Sequence, residues 1–164
     1  MLIAYTGFGS RRTPCHRFPL LRAIASELEA LGYVLRSGGA EGADIAFESG
    51  VKSLDAKQIF YPDGPVPRAA FELAEQHHPA WSRCSAYARR CHARNCMQVL
   101  GAELNDPSAF GVCWTPGARE VGGSAQALRI ARAFGVQVYN VADEKQLAVF
   151  LQSRLPLCLH LATK

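Results

Sequence analysis

The sequence lacks several features that would assign it to a specialised class of protein. No apolar run approaches the length of a membrane-spanning helix, and the first residues show no charged leader with a cleavage-like site. We therefore expect a cytoplasmic protein with no membrane partner. The chain also shows no internal repeat and no low-complexity segment. Its 164 residues suit one domain, residues 1–164, with a sizeable hydrophobic core.

The cysteine pattern contains no Cys-x-x-Cys pair among its six members, so we expect reduced thiols. One stretch is crowded with residues that ligate zinc: His77, His78, Cys84, Cys91, His92 and Cys96. Their spacing matches no standard zinc module, and several of them would lie on different faces of one helix. We therefore expect no metal site, and we expect no cofactor.

The bulk composition is that of an ordinary globular protein, with 49% hydrophobic and 20% charged residues. The formal net charge is +4 at pH 7. A mildly basic chain permits an anionic ligand without demanding nucleic acid.

Apolar runs typical of strands alternate with helical patterns along the chain. The predicted strands are residues 2–6, 33–36, 56–61, 109–114 and 136–141. The predicted helices are residues 18–31, 40–51, 68–78, 81–104, 123–134 and 143–155. This alternation predicts a Rossmann-like three-layer αβα domain of the α/β class, with a mainly parallel five-stranded sheet. With the first strand in the centre, the second and third lie on one side and the fourth and fifth on the other.

Three glycine-rich loops follow strands that this order brings to one edge of the sheet: residues 7–12, 37–44 and 115–124. Ligands of such sheets bind outside the carboxyl ends of the strands, where the strand order reverses. Free backbone N–H groups, hydroxyls and arginines suit a phosphate. We expect the phosphate to contact Gly7, Gly9, Ser10, Arg11, Arg94, Gly122, Gly123 and Ser124. The sugar side would be shaped by Gly38, Gly39 and Asp44. An ordinary capped helix start is the alternative for residues 122–124.

The predicted helix over residues 81–104 carries a stripe of basic and aromatic side chains, namely Arg83, Tyr87, Arg90 and Arg94. Their spacing places them on one helix face. Such a stripe is either a solvated surface or a face that holds phosphates and stacks on a base.

Three of these segments resemble known families. Gly9-Ser10-Arg11 and the stretch at residues 36–44 resemble the Rossmann core of the DNA-processing protein DprA. Residues 92–97 look like the arginine motif of the Lonely Guy (LOG) phosphoribohydrolases. Both families belong to the SLOG superfamily, whose members bind nucleotides, nucleotide-derived ligands or single-stranded DNA. The resemblance covers residues 2–142 by motif and is nearest to short phage and bacterial DprA-like proteins.

The chain departs from these families in two respects. The LOG motif carries two glutamates that support cleavage of an N-glycosidic bond, and Gln126 and Ala127 stand in their places here. An amide cannot act as a general base. Glu41, Asp44 and Glu120 are the acidic residues that could substitute. The chain also lacks room for the extra domains that DprA proteins often carry.

Three functions remain open at this point. The first is binding of a nucleotide or ribose-phosphate ligand beyond the first and fourth strands. The second is a LOG-like phosphoribohydrolase, with Glu41 or Glu120 acting beside Arg94 as catalytic candidates. The third is DprA-like binding of single-stranded DNA by Arg83, Arg90 and Arg94. We also expect a homodimer.

Overall fold

A computed structural model describes residues 3–155 of the chain. Within this range, five strands form one parallel sheet in the order β3-β2-β1-β4-β5. The strands are β1 (Ile3–Gly9), β2 (Tyr33–Ser37), β3 (Lys57–Ile59), β4 (Gly111–Trp114) and β5 (Val138–Asn140). The predicted fold class and strand order are therefore confirmed.

Helices cover both faces of the sheet and complete the three layers. They are α1 (Phe18–Ala30), α2 (Ala43–Glu48), α3 (Arg68–His77), α4 (Ala86–Leu100), α5 (Gly122–Ala133) and α6 (Glu144–Arg154). Helices α1, α2 and α6 share one hydrophobic core, and α3, α4 and α5 share another. In the part of the chain that the structure describes, no helix is both long and apolar enough to cross a membrane.

Alternation along the central strands divides their side chains between the two cores. Tyr5 on β1 and Val112 on β4 pack among α1, α2 and α6, whereas Phe8 and Cys113 pack among α3, α4 and α5. Neighbouring residues of a strand point to opposite faces of its sheet. The sheet is therefore buried on both sides, as its continuous apolar strands predict.

The largest error of the sequence prediction concerns the helix expected over residues 81–104. Trp81–Arg83 forms a separate turn of 3-10 helix, and α4 begins only at Ala86. The hydroxyl of Ser85 accepts the backbone N–H of Ala88 and caps the helix. Gly101, with φ +79°, ends it. The stripe predicted on one helix is thus divided, because Arg83 lies outside α4.

A candidate nucleotide crevice beyond β1 and β4

A crevice of about 680 Å³ opens beyond the carboxyl ends of β1 and β4, where the strand order reverses. All three predicted loops contribute to its lining, together with one face of α4 and the first turn of α5. Ala127 and Phe8 are buried residues of this lining. The strand topology therefore brings the glycine-rich loops together at one place.

Most of the predicted phosphate and sugar residues line this crevice: Gly9, Ser10, Arg11, Asp44, Arg94, Gly122, Gly123 and Ser124. Three predicted glycines lie outside the lining. A Cβ on Gly7 would come within 2.8 Å of Leu35, so Gly7 serves the packing beneath the crevice. A Cβ on Gly39 would press on the ring of Tyr61. Gly38 lies directly against the guanidinium of Arg94.

Asp44 and Arg94 form a buried ion pair in the crevice wall. Oδ2 of Asp44 lies 3.6 Å from Nη1 of Arg94, and Oδ1 of Asp44 accepts the backbone N–H of Gly9 at 3.1 Å. Burial raises the pKa of Asp44 to about 6, while Arg94 and the N–H of Gly9 oppose that rise. The carboxyl group is therefore mostly ionised at neutral pH and takes up a proton under mildly acidic conditions.

Arg94 keeps hydrogen-bonding capacity that the protein does not use. Its Nη1 donates to Oε1 of Gln98 at 2.7 Å. Within residues 3–155, Nε of Arg94 and Nε2 of Gln98 are buried and find no hydrogen-bond partner. A Cβ on Gly38 would overlap Nη1 of Arg94, so only a glycine lets the guanidinium lie here. Both residues line the crevice, and two buried donors without partners are the kind of unmet hydrogen bonding that marks a functional site.

The first turn of α5 presents a second set of donors. Its N-cap is Val121, whose side chain makes no capping hydrogen bond. Nδ2 of Asn95 donates to the carbonyl of Gly123 at 3.1 Å and fixes this turn to α4. The first backbone N–H groups of a helix have no partner within the helix and carry its positive dipole end. Because α5 is not capped by a side chain, these groups are available to an anion.

Three exposed arginines stand at the rim of the crevice: Arg11, Arg12 and Arg119. Among the described residues that line it, Asp44 is the only carboxylate. The exposed ring of Tyr87, from α4, belongs to the same lining. The crevice is therefore electropositive and has an aromatic surface beside its cations, a combination that suits a phosphate joined to a base.

The basic stripe predicted on one helix does not face the crevice as a unit. Arg90 donates from Nε to the carbonyl of Pro62 and from Nη2 to that of Gly64, so it fastens the loop before α3. Arg83 lies on the preceding 3-10 turn, outside the lining. Of the four stripe residues, Tyr87 and Arg94 line the crevice.

The acidic candidates for catalysis are also dispersed. Glu41 is exposed and lies outside the lining. Glu120 pairs with Arg132 in a separate depression of about 370 Å³. Asp44 remains as a buried carboxyl group able to exchange a proton inside the crevice.

The positions that carry glutamates in the LOG motif have different surroundings here. Gln126 is fully buried, and its Nε2 donates to the carbonyl of Ala74 at 2.9 Å. Its Oε1 accepts from Arg129. Gln126 therefore joins α5 to α3 and does not line the crevice, whereas Ala127 does.

Sequence reasoning missed Gln98 and Arg119 as residues of the crevice, whereas Arg12 was already counted among the cations of the first loop. Gln98 lies four residues after Arg94, so helical spacing alone would have placed the two side chains together. Arg12 and Arg119 belong to loops already identified by their glycines. Their position at the rim depends on the loop paths, which no local pattern records.

No protein-family model matches the chain, and no curated protein matches it. Its fold is similar to that of DNA processing protein A from Helicobacter pylori, a solved structure reported for that protein's unique single-stranded DNA binding mode. The TM-score is 0.56, the identity is 18%, and the match covers 84% of this chain. The chain spans 64% of the length of that protein. This likeness shows a DprA-like fold; SLOG membership and a homodimer stay predictions.

Proposed function

We propose that the protein binds single-stranded DNA by taking the sugar-phosphate of one nucleotide into the crevice beyond β1 and β4. The observation that carries this proposal is the convergence of a guanidinium and an uncapped helix start in one electropositive crevice. Arg94 lines the crevice with its positive charge, and α5 supplies a first turn without a side-chain cap. A phosphate accepts from both.

The rim arginines favour a polymer over a single nucleotide. Arg11, Arg12 and Arg119 are exposed around the opening, beyond the donors that hold one phosphate. A nucleic acid strand carries further phosphates on each side of the bound one, within reach of such a rim. The similar fold in a protein whose structure was reported for its single-stranded DNA binding mode supports the same choice.

Tyr87 gives a reason for a single strand rather than a duplex. Tyr87 is 58% exposed and belongs to the crevice lining. Unpaired bases stack on exposed aromatic rings without regard to sequence, whereas bases in a duplex are already stacked on each other. We therefore expect weak sequence preference.

A free nucleotide or ribose-phosphate ligand is the second candidate, and the size of the crevice favours it. About 680 Å³ lies within the range of pockets that enclose small ligands. The two candidates share the phosphate donors and differ in what the rim arginines contact.

Fluorescence anisotropy with a labelled oligothymidylate tests the proposal directly. We expect tighter binding to the oligonucleotide than to thymidine monophosphate or to the duplex, with an affinity that falls steeply with salt. For single strands the logarithmic slope is about −0.7 for each phosphate neutralised. Arg119→Ala should make the slope shallower by about that amount. Arg83→Ala is the matched control, since Arg83 is exposed but lies outside the lining.

Two results would contradict single-stranded DNA as the ligand. Equal affinity for the mononucleotide and the oligonucleotide, with little salt dependence, would assign the crevice to a small molecule. A loss of binding in Arg83→Ala that equals the loss in Arg119→Ala would move the DNA contact away from the crevice.

A further inference from the structure

Three metal-ligating side chains meet beside the crevice, although each comes from a different segment. His78 follows directly after α3, Cys84 follows the 3-10 turn Trp81–Arg83, and His92 lies on α4. Their potential ligand atoms all lie within 4.8 Å of one another. The expectation that several residues of the wider cluster would lie on different faces of one helix is wrong for Cys84 and His92, because the predicted helix over residues 81–104 is interrupted before α4.

We propose that His78, Cys84 and His92 bind a zinc ion at the wall of the crevice. Two imidazoles and one thiolate are a donor set that zinc prefers, and three protein ligands leave a fourth position for water or a ligand. Sγ of Cys84 already lies 3.8 Å from both ring nitrogens of His78. Nδ1 of His92 is buried without a hydrogen-bond partner in residues 3–155, and a metal would supply the missing contact.

The charges around the cluster act in two directions. Arg129 and Arg94 stand close enough to His92 to act on its charge, so these two cations oppose the binding of a divalent ion. Binding releases the thiol proton to solvent, so the thiolate cancels one of the two positive charges of zinc. The site then carries one net positive charge, compatible with a crevice that binds anions.

Metal binding replaces two existing hydrogen bonds. Nδ1 of His78 accepts the backbone N–H of Ala80 at 3.1 Å, and Sγ of Cys84 donates to the carbonyl of Ala80 at 3.6 Å. A neutral imidazole has one lone pair, so a metal on either nitrogen of His78 ends the first bond. The thiol proton that makes the second is lost. The metal would then fix the segment between α3 and α4 through coordinate bonds.

Cobalt(II) spectroscopy on the reduced full-length protein tests the site without reference to DNA binding. We expect one equivalent of cobalt, with thiolate-to-metal charge-transfer absorption and the visible bands of tetrahedral coordination, both removed by added zinc. Zinc should also raise the thermal midpoint. Cys84→Ser and His92→Gln should each lose the charge-transfer absorption or the tetrahedral bands. The controls Cys91→Ser and His77→Gln, on neighbouring residues outside the cluster, should keep both.

The spectrum of the wild-type protein decides the question even if a variant fails to fold. Absence of charge-transfer absorption at stoichiometric cobalt would overturn the proposal. Charge-transfer absorption that survives in folded Cys84→Ser, or disappears in folded Cys91→Ser, would place the metal elsewhere. Circular dichroism of each variant without metal separates loss of the ligand from loss of the fold.

Discussion

Oδ2 of Asp44 lies 3.6 Å from Nη1 of Arg94, and both side chains are almost completely buried, with 4% and 5% of their surfaces exposed. The carboxylate stands in the first turn of α2 and the guanidinium in the middle of α4. The pair therefore joins α2 to α4, which lie on opposite faces of the sheet. Each charge depends on the other, because a single buried charge is costly.

Arg94→Ala should destabilise the protein strongly at neutral pH. It leaves the Asp44 carboxylate buried without its cation, and breaking a buried pair in this way costs about 3–5 kcal/mol. The loss should be smaller near about pH 5, where Asp44 takes up a proton. Urea denaturation at both pH values measures the difference. Arg83→Ala, on an exposed side chain, should change neither value; equal small effects from both variants would refute a stabilising role for the pair.

Asp44 should make stability fall as the pH rises through the mildly acidic range. Its pKa is about 6 in the folded protein against an ordinary value of 3.8, so the folded state binds the proton more tightly. The contribution is present below about pH 4 and is lost by about pH 6, with a size of about 3 kcal/mol. His92 changes in the opposite sense, since its pKa is lowered.

The difference in unfolding free energy between the wild type and Asp44→Asn isolates this contribution, because His92 is present in both. The asparagine oxygen can still accept the Gly9 N–H. A difference that does not vary between about pH 4 and pH 6.5 would show that Asp44 is not buried as described.

Gly123→Ala should separate folding from ligand binding. A Cβ at Gly123 meets no atom within 4 Å, so the substitution leaves the packing intact and adds helix propensity of about 0.5–1 kcal/mol. If a phosphate lies against the first turn of α5, the added methyl should nevertheless weaken oligonucleotide binding. Gly38→Ala should impair both properties, because its Cβ would displace Arg94. Unchanged binding by Gly123→Ala would leave this turn an ordinary helix start.

The double variant Gln126→Glu and Ala127→Glu should lose stability without gaining release of base from nucleoside monophosphates. A carboxylate at position 126 would face the carbonyl of Ala74, where the amide now donates a hydrogen bond. Such a buried, unsatisfied arrangement costs about 1–3 kcal/mol, although Arg129 would offset part of it. Chromatography of the reaction products and thermal denaturation measure the two properties. Robust hydrolysis by the wild type would instead assign catalysis to a carboxyl group such as Asp44.

The sheet could be predicted because its signals are local. Five apolar runs, four of them followed within two residues by glycine or proline, alternate with helical spacing, and parallel strands joined by helices allow few orders. The segment between α3 and α4 could not be predicted in the same way. Helical spacing continues through Arg83, and the capping hydrogen bond of Ser85 ends that continuity. His78, Cys84 and His92 come together because of this break, so no single helical pattern could have predicted their proximity.

The candidate site was predictable to the extent that glycine-rich loops follow the central strands. The role of Gly7 and Gly38 in packing, rather than in lining, depends on the distances to Leu35 and Arg94. Likewise, Arg90 and Arg94 are one helical turn apart, yet Arg90 binds loop carbonyls and Arg94 lines the crevice. Both are arginines on α4 one turn apart, so residue type and helical position do not distinguish them. Only their tertiary partners differ.

The hydrogen bond from Asn95 to the carbonyl of Gly123 has an energetic consequence for recognition. It holds the first turn of α5 against α4 before any ligand arrives, and the same helix carries Arg94. The two groups of donors therefore enter the complex already ordered relative to each other, and association need not pay for ordering them. Without the Asn95 amide, the ordering of these groups would become part of the binding reaction and weaken it. Every group that donates to the phosphate would still be present.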